Sequence, residues 1–355
     1  MKTVTELDRN FILPPPEYPD AVFTDILSEP YTLYGVIPPT ENEGFHRMPC
    51  DVAERVSENV GNLNYHTSGG RVRFKTDSPY ICLSVKIKSD GRMPHFAFCG
   101  SYGFDMYERE ETRYVFRGSF LPPIEKAESY GASVALPNER KMRDITIDFP
   151  LYSALYSVAI GLKKGSRLDR SPAYTVKKPV VFYGSSITQG ACASRPGMMY
   201  PAVLSRILDF DYIDLGFSGS ARAETTMAQY IADLDMSAFV YDYDHNAPDV
   251  GYLRATHHPF FERIREKNPS LPIVFLSRPQ YEQSRDSDER EAVIRETYEK
   301  AVSDGDKNVY FVSGRNLMDL AGNDGSVDGV HPTDLGFYSM VRAVYPTLSS
   351  ILYKR

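Results

Sequence analysis

From Pro179 onward, short apolar runs alternate with segments that have the spacing of amphipathic helices. The strand-like runs are Val180–Tyr183, Tyr212–Leu215, Ala238–Asp242, Ile273–Leu276 and Val309–Val312, and the helical segments are Tyr200–Leu208, Thr226–Leu234, Pro259–Lys267, Glu289–Val302 and Leu335–Leu348. Strand–helix alternation of this length is typical of a parallel sheet covered by helices on both faces. It predicts a flavodoxin-like three-layer α/β/α domain, whose site lies at the carboxyl ends of the strands.

The first half of the chain has a different periodicity. In Ile81–Lys88, apolar residues alternate strictly with polar ones, and Arg143–Phe149 and Arg71–Lys75 repeat this pattern. Such runs are typical of half-buried antiparallel strands. Helical spacing is scarce here, apart from one short turn near Val52–Val60. These features predict an all-β sandwich of the jelly-roll type.

The two periodicities meet in the segment Lys163–Lys178, which is charged, contains Gly and Pro, and shows weak periodicity. We therefore interpret it as a linker. A chain of 355 residues is long enough for two domains. The prediction is an N-terminal jelly-roll domain over residues 1–172 and an α/β/α domain over residues 173–355.

The net charge of −7 provides no basic patch for nucleic acid and no polybasic signal for a membrane surface. The first twenty residues, MKTVTELDRNFILPPPEYPD, contain no apolar run of signal-peptide or transmembrane length. The four cysteines are scattered without CxxC spacing, which favours free thiols in a reducing compartment. We expect a cytoplasmic protein with no nucleic-acid or membrane partner; its oligomeric state stays open, a homo-oligomer included.

Candidate chemistry follows the first three predicted strands of the second half. The first strand runs into Gly184-Ser185-Ser186, where a serine hydroxyl would lie at the sheet edge near a helix N-terminus. The second is followed by a glycine-rich turn that contains Gly219. The third is followed by Asn246, whose amide could donate a hydrogen bond to an oxyanion.

A fourth block, Asp328-Gly329-Val330-His331-Pro332, lies just before the last predicted helix. An Asp three residues before a His lets the carboxylate bind one ring nitrogen while the other faces a hydroxyl. Each block alone has a structural explanation, such as an ordinary turn. Four blocks in this order, each at a strand end or before a helix, favour a serine-hydrolase site.

These four blocks resemble those of the SGNH/GDSL hydrolases. By this resemblance Ser186 is the nucleophile, Asp328 and His331 complete the catalytic triad, and the oxyanion hole is formed by Ser186, Gly219 and Asn246. The resemblance covers roughly residues 177 to 355. It implies ester hydrolysis through an acyl-enzyme, with no metal and no organic cofactor.

In the first half, Gly103-Phe104-Asp105-Met106-Tyr107 resembles the GxDLY signature of the sandwich that precedes some of these hydrolases. Similar two-domain arrangements occur among carbohydrate acetyl esterases and in at least one acyltransferase branch. Asp105 and Tyr107 could either reach the substrate or define the fold of the sandwich.

The sequence departs from the family pattern at two places. The usual Gly-Asp-Ser reads Gly184-Ser185-Ser186, so Ser185 stands where relatives carry Asp. The third block reads Asp244-His245-Asn246, followed by Ala247 where an Asp often stands. Neither change removes a group that the mechanism needs, but both leave the subfamily and the substrate open.

Other residues compete for roles in the site. Ser185 is a second nucleophile candidate, although a role in supporting the turn is favoured, and His245 is a second candidate for the general base. We place Ser185, His245 and His257 as candidates for lining the pocket. The pair His257-His258 with Asp249 could suggest a metal site, but the spacing favours a structural role. Cys192 is interpreted as an inert buried thiol.

We therefore expect an esterase that removes short acyl groups, O-acetyl in particular, from a small molecule or an oligosaccharide. The carbohydrate preference rests on the two-domain resemblance and on the 25 tyrosines, which suit packing against sugars. Two alternatives use the same scaffold: an acyltransferase with a non-water acceptor, and a non-catalytic carbohydrate-binding protein.

Overall fold

The computed structural model describes residues 18–40, 43–89, 92–111, 113–125, 127–137, 141–280 and 284–353. The segment on which the expectation of no signal peptide rests lies largely outside them, at residues 1–17. No helix within the described ranges is both long enough and apolar enough to cross a membrane.

The first half of the chain forms two antiparallel sheets. Its strands are β1 (Ala21–Asp25), β2 (Thr32–Tyr34), β3 (Arg71–Thr76), β4 (Tyr80–Ser89), β5 (Phe104–Glu110), β6 (Arg113–Phe120), β7 (Ser129–Ala135), β8 (Arg143–Asp148), β9 (Ser153–Lys163) and β10 (Leu168–Asp169). One sheet has the order β1-β9-β4-β7; the other has β10-β3-β8-β5-β6, with β2 paired to β3. Their inner faces share one apolar core, so the predicted β-sandwich is confirmed.

The alternation along β4 explains how the sandwich is filled. Ile81, Leu83, Val85 and Ile87 are all buried, while the intervening residues from Ser84 onward point to solvent. Since successive side chains in a strand point to opposite faces, one face of β4 is buried against the second sheet. The alternation of apolar and polar residues in the sequence of β4 thus matches the alternation of buried and exposed side chains.

Among the described residues of the first half, three short helices interrupt the sandwich: α1 (Cys50–Val56), α2 (Glu58–Leu63) and α3 (Phe98–Tyr102). The sequence predicted a single helical turn here, whereas the structure contains two helices broken at Ser57. That residue is extended, and its hydroxyl caps α2 by accepting a hydrogen bond from the N–H of Val60 at 3.2 Å. Ala53 and Val60 belong to an apolar cluster of the second half, so α1 and α2 pack on that half.

The second half contains one parallel five-stranded sheet. Its strands are β11 (Val176–Gly184), β12 (Phe210–Gly216), β13 (Ala238–Asp242), β14 (Ile273–Leu276) and β15 (Val309–Val312), and its helices are α4 (Tyr200–Leu208), α5 (Thr225–Asp233), α6 (Val250–Lys267), α7 (Ser287–Ser303), α8 (Gly314–Leu317) and α9 (Asp334–Leu352). The order β12-β11-β13-β14-β15 is that of a flavodoxin-like sheet. Separate apolar clusters cover its two faces, which confirms the three-layer fold.

The strand order reverses at β11, whose neighbours β12 and β13 lie on either side of it. In open α/β sheets the crevice at the carboxyl ends of strands opens at such a reversal. The turn after β11 is therefore where the fold itself places a site. The boundary predicted between residues 172 and 173 falls in the connection between β10 and β11 and stays a prediction.

Buried polar contacts join the two halves. Asp105 of the GxDLY-like motif is fully buried, and its carboxylate binds the Arg195 guanidinium at 2.6 Å and accepts from the Gly197 N–H at 2.9 Å. Arg71 of β3 pairs with Asp211 of β12 at 2.5 Å. Removing one partner of such a buried pair leaves an uncompensated charge, so these contacts hold the halves in one arrangement. Asp105 has a structural role and does not reach the crevice.

Candidate active site

The turn after β11 presents two serines in different environments. Ser185 is buried, and its hydroxyl oxygen accepts a hydrogen bond from the N–H of Ile187 at 3.1 Å. The Ser186 hydroxyl points out of the turn instead and meets a histidine. Ser185 thus supports the turn, and its placement as a pocket-lining residue was wrong because its side chain is directed into the turn.

The hydroxyl of Ser186 lies 3.0 Å from Nε2 of His331. The other ring nitrogen of His331, Nδ1, lies 2.7 Å from Oδ2 of Asp328. The three side chains come from two segments about 140 residues apart, the turn after β11 and the loop before α9. Their contacts form a continuous hydrogen-bonded chain in which an imidazole could take the proton of the serine hydroxyl.

The Asp328 carboxylate is held in its charged form. Partial burial opposes ionisation, but hydrogen bonds from the His331 ring, the His331 N–H at 2.7 Å and the Val330 N–H at 3.0 Å more than compensate. Together they lower the pKa of Asp328 to about 2. A carboxylate that is charged at neutral pH fixes the proton of the neighbouring imidazole on Nδ1, which leaves Nε2 free to accept one.

The loop after β12 approaches the same crevice. Gly219 has φ of +65°, in the left-handed region that favours glycine, and a Cβ added there would meet no neighbouring atom. The guanidinium of Arg47, which comes from the first half, donates to the Gly216 carbonyl and lies 4.3 Å from the Phe217 ring centroid. Arg47 therefore holds the base of the loop that carries Gly219.

Asn246 lies in a single 3₁₀ turn after β13. Its side-chain Nδ2 donates one hydrogen bond to the carbonyl of Phe217 at 2.9 Å. An amide nitrogen carries two hydrogens, so a second N–H is left to donate to a ligand. The contact with Phe217 fixes the amide beside the loop of Gly219.

A buried carboxylate lies beneath the serine turn. Asp242, at the end of β13, accepts hydrogen bonds from Thr188 Oγ1 at 2.9 Å and Tyr200 OH at 3.0 Å. Burial raises the pKa of Asp242 to about 7, although the two hydroxyl groups oppose this shift. The contact with Thr188 ties the serine turn to the adjacent strand.

The first half of the chain contributes residues that sequence motifs did not reveal. The Tyr152 hydroxyl donates to the carbonyl of Ser186 at 3.4 Å. Nε2 of His95 lies 3.8 Å from Oδ2 of Asp328. A cavity of about 420 Å³ next to the Gly219 loop is lined by Ser218 and Ser220 and by seven residues of the first half, namely Asn59, Asn62, Leu63, His66, Arg92, Met93 and Tyr152. No local pattern marked them, because only the packing of the two halves brings them here.

Comparisons with known proteins identify a family for each half of the chain. Residues 177–349 match the model of the GDSL-like lipase/acylhydrolase family, and residues 21–168 match the model described as GxDLY, the N-terminus of SGNH-hydrolase-type esterases. Residues 177–349 form a domain of the GDSL-like lipase/acylhydrolase family, preceded by a GxDLY domain over residues 21–168. The protein is therefore a carboxylic ester hydrolase.

Solved structures of similar architecture extend over nearly the whole acylhydrolase. A GDSL-like lipase from Bacteroides ovatus has 29% identity and a TM-score of 0.83, with 94% of this chain and 98% of that chain covered. The salicylyl-acyltransferase SsfX3 of a tetracycline biosynthetic pathway has 19% identity and a TM-score of 0.75, with 94% and 98% covered. The acetyl xylan esterase Est2A from Butyrivibrio proteoclasticus has 13% identity and a TM-score of 0.59, with 93% and 98% covered. The last two show the fold alone. No curated protein matches the chain by sequence.

His245 of the acylhydrolase is partly buried next to the site. Within the described residues, its Nε2 has no hydrogen-bond partner. Burial, followed by the proximity of Arg278, His331 and Arg290, lowers the pKa of His245 to about 3. The contact with Ser186 is made by His331, which favours His331 over His245 as the base. The pocket-lining role of His245 stays a prediction.

His257 does not line the pocket, and that placement was wrong. Its ring is buried, stacks on Tyr241 with centroids 4.5 Å apart, and lies 2.9 Å from the Thr297 hydroxyl. The reason is that α6 begins at Val250 rather than at Pro259. Helical spacing then places His257 on the core-facing stripe of α6, together with Leu253, Phe261 and Ile264.

The metal-site alternative around His257 is also not supported by the geometry. Asp249 caps α6, since its carboxylate accepts from the Tyr252 N–H at 2.7 Å. Nε2 of His258 lies 3.0 Å from the Glu262 carboxylate on the same helix. The three side chains therefore have structural roles: Asp249 caps α6, His257 packs in the core, and His258 pairs with Glu262 on the helix.

Proposed function

We propose that this acylhydrolase removes short acyl groups, O-acetyl above all, from hydroxyl groups of a carbohydrate through a Ser-His-Asp acyl-enzyme mechanism. The observation that carries the proposal is the unbroken chain from Ser186 Oγ through His331 to Asp328, with distances of 3.0 and 2.7 Å. Its place at the strand-order reversal, beside Gly219 and Asn246, supplies the groups that such a reaction needs.

In the first step, Nε2 of His331 takes the proton of the Ser186 hydroxyl while Oγ attacks the ester carbonyl carbon. The carbonyl oxygen becomes an oxyanion, which accepts hydrogen bonds from the N–H groups of Ser186 and Gly219 and from Nδ2 of Asn246. His331 then gives its proton to the departing alcohol oxygen, and an acyl-enzyme remains. Water repeats the sequence: His331 takes its proton, the hydroxide attacks the acyl carbon, and the carboxylic acid leaves as Ser186 is regenerated.

The cavity beside the Gly219 loop supports a carbohydrate as the alcohol portion. Asn59 and Asn62 are three residues apart on α2 and so lie on one face of the helix, which lines the cavity. Arg92, Ser218 and Ser220 add further polar groups to the cavity wall. A wall rich in amide and hydroxyl groups suits a ligand with many hydroxyl groups better than a long acyl chain. Among structures of similar fold, Est2A acts on acetyl xylan.

The proposal is tested by acetate release from acetylated xylo-oligosaccharides and other acetylated saccharides. Ser186→Ala should lower kcat by roughly 10⁶, as loss of the nucleophile does in other triads. Ser185→Ala is the matched control: the side chain next to the nucleophile is truncated in the same way, and turnover should stay within about tenfold of the parent, since one turn hydrogen bond is lost. Near-normal turnover of 4-nitrophenyl acetate by Ser186→Ala would contradict the mechanism.

The carbohydrate part of the proposal has its own test. Asn62→Ala should raise KM for an acetylated oligosaccharide several-fold and leave KM for 4-nitrophenyl acetate unchanged, because the small ester does not reach the cavity wall. Equal effects on both substrates would contradict the assignment. Transfer of the acyl group to a sugar, in place of acetate release, would show the acyltransferase alternative.

We also propose a cytoplasmic location. Cys50, Cys82, Cys99 and Cys192 all lie in described segments and are free thiols. Scattered free thiols are typical of proteins from reducing compartments. Immunoblotting of cell fractions tests this, and recovery in the extracellular fraction would contradict it.

A further inference from the structure

Three potential metal ligands meet at the edge of the site. His95, Cys192 and His331 each offer one ligand atom, and these atoms lie within 4.8 Å of one another. The rings of His95 and His331 have centroids 5.8 Å apart. His95 is 39% exposed at its side chain, while Cys192 is buried. The cluster is therefore reachable from solvent on the His95 side.

Three separate parts of the fold supply these side chains. His95 comes from the segment before α3 in the first half, Cys192 from the turn that follows the serine turn, and His331 from the loop before α9. The backbone of Cys192 has φ of +74°, which non-glycine residues rarely adopt. This conformation belongs to the turn that places the thiol beside the triad histidine, six residues after Ser186.

The donor set and its spacing suit a borderline-soft divalent cation. Two imidazoles and a thiolate are preferred ligands of Zn²⁺, and a tetrahedral ion keeps such donor atoms about 3.3–3.6 Å apart. Because the ligand atoms lie within 4.8 Å of one another, they must approach by at most about 1.5 Å, which an exposed side chain such as His95 can do. A fourth position would stay open for water.

We propose that His95, Cys192 and His331 form an inhibitory binding site for Zn²⁺. This regulation rests on the proposed esterase function. Coordination through Nε2 of His331 removes the lone pair that accepts the Ser186 proton, and coordination through Nδ1 displaces the Asp328 carboxylate. Either mode stops proton transfer from Ser186. The inhibition is reversible, because a chelator returns the ring to its present contacts.

Binding involves the loss of one proton from the thiol. Burial, and to a lesser degree the charge of Asp328, raise the pKa of Cys192 to about 12, so the thiol is protonated at neutral pH. The cation binds the sulfur as a thiolate, and the thiol proton goes to solvent. No electron is transferred, and no co-reactant is required.

The site is tested first without reference to activity. Titration of the full chain with Co²⁺ should give a thiolate-to-cobalt charge-transfer band and the visible bands of a tetrahedral ion, saturating at one equivalent. Cys192→Ser should abolish the charge-transfer band. Cys82→Ser, a buried thiol in β4, is the matched control and should keep it. Absence of the band in the parent chain, or its survival in Cys192→Ser, would overturn the site.

Inhibition is then measured with buffered Zn²⁺ and 4-nitrophenyl acetate. His95→Asn and Cys192→Ser should each raise the half-inhibitory Zn²⁺ concentration more than about tenfold, with inhibition expressed relative to each variant's own metal-free kcat. EDTA should restore the activity of the parent. Equal sensitivity of the parent and both variants would overturn the proposal. Should the chain lack esterase activity, the cobalt spectrum still decides whether the cation site exists.

Discussion

Oε1 of Gln189 accepts a hydrogen bond from the N–H of Ser218 at 2.9 Å. Gln189 lies three residues after Ser186, and Ser218 comes directly before Gly219. The other end of the same amide, Nε2, lies 3.1 Å from Nδ1 of His66 in the first half. One buried side chain therefore connects the serine turn, the loop of Gly219 and the N-terminal half.

The first prediction follows from this connection. Gln189→Met keeps the length of the side chain but removes its hydrogen bonds, so the loop of Gly219 is no longer fixed against the serine turn. We expect kcat for 4-nitrophenyl acetate to fall about tenfold, the effect of one net hydrogen bond, with KM little changed. A lower thermal midpoint with unchanged kcat of the folded enzyme would show that Gln189 stabilises the fold without positioning the loop.

The second prediction concerns the amide of Asn246. Asn246→Asp keeps the shape of the side chain but replaces both N–H donors with acceptors, so the contact with the Phe217 carbonyl and the donor to the oxyanion are both lost. We expect kcat to fall by about 10²–10³. Asn316→Asp, at an exposed position in α8, makes the same chemical change away from the site and should leave kcat unchanged. A similar loss in both variants would refute the role of Asn246.

The third prediction tests the carboxylate of the triad. Asp328→Asn leaves the turn geometry but removes the charge that holds the His331 proton on Nδ1, so the ring can present its N–H to Ser186 instead of its lone pair. We expect kcat to fall by about 10⁴. Asp324→Asn, in the same loop and exposed, is the control and should retain activity. Only a minor loss in Asp328→Asn would mean that another group orients His331.

The sheet, and the contacts of His331 with Ser186 and Asp328, could be predicted from the sequence because both depend on local patterns. Three of the five predicted strands of the second half, among them Ala238–Asp242, have the bounds found in the structure, since buried parallel strands read as continuous apolar runs. Ser186, Gly219 and Asn246 follow strand ends, which parallel strands bring to one edge, while Asp328 and His331 lie in the loop before α9. The hydrogen-bonded chain from Ser186 to Asp328 thus joins residues that the sequence could mark one by one.

Contributions from the first half could not be predicted in this way. Arg47 and Tyr152 reach the site only through the packing of the two halves, and no spacing in the sequence records that packing. His257 was misplaced for a different reason. Pro259 is an interior residue of α6, whereas a proline at a helix start was assumed, and the extra turns before it put His257 on the buried face.

The last prediction concerns pH and the carboxyl of Asp242. Its pKa is raised to about 7 in the folded chain, by burial first and by Asp244 as well, against about 3.8 for an ordinary aspartate. Between these values the folded protein binds a proton that the unfolded chain has released, so this group's contribution to stability is lost as pH rises from about 4 to about 7.

The variant Asp242→Asn has no carboxyl proton to lose. We therefore expect the free energy of unfolding of this variant, relative to the parent, to rise by about 1–4 kcal/mol across that window and to level off above it. Urea unfolding at a series of pH values measures the free energy of unfolding of the parent and of the variant as a function of pH. If the two curves ran parallel, Asp242 would be ionised in the folded protein throughout the range.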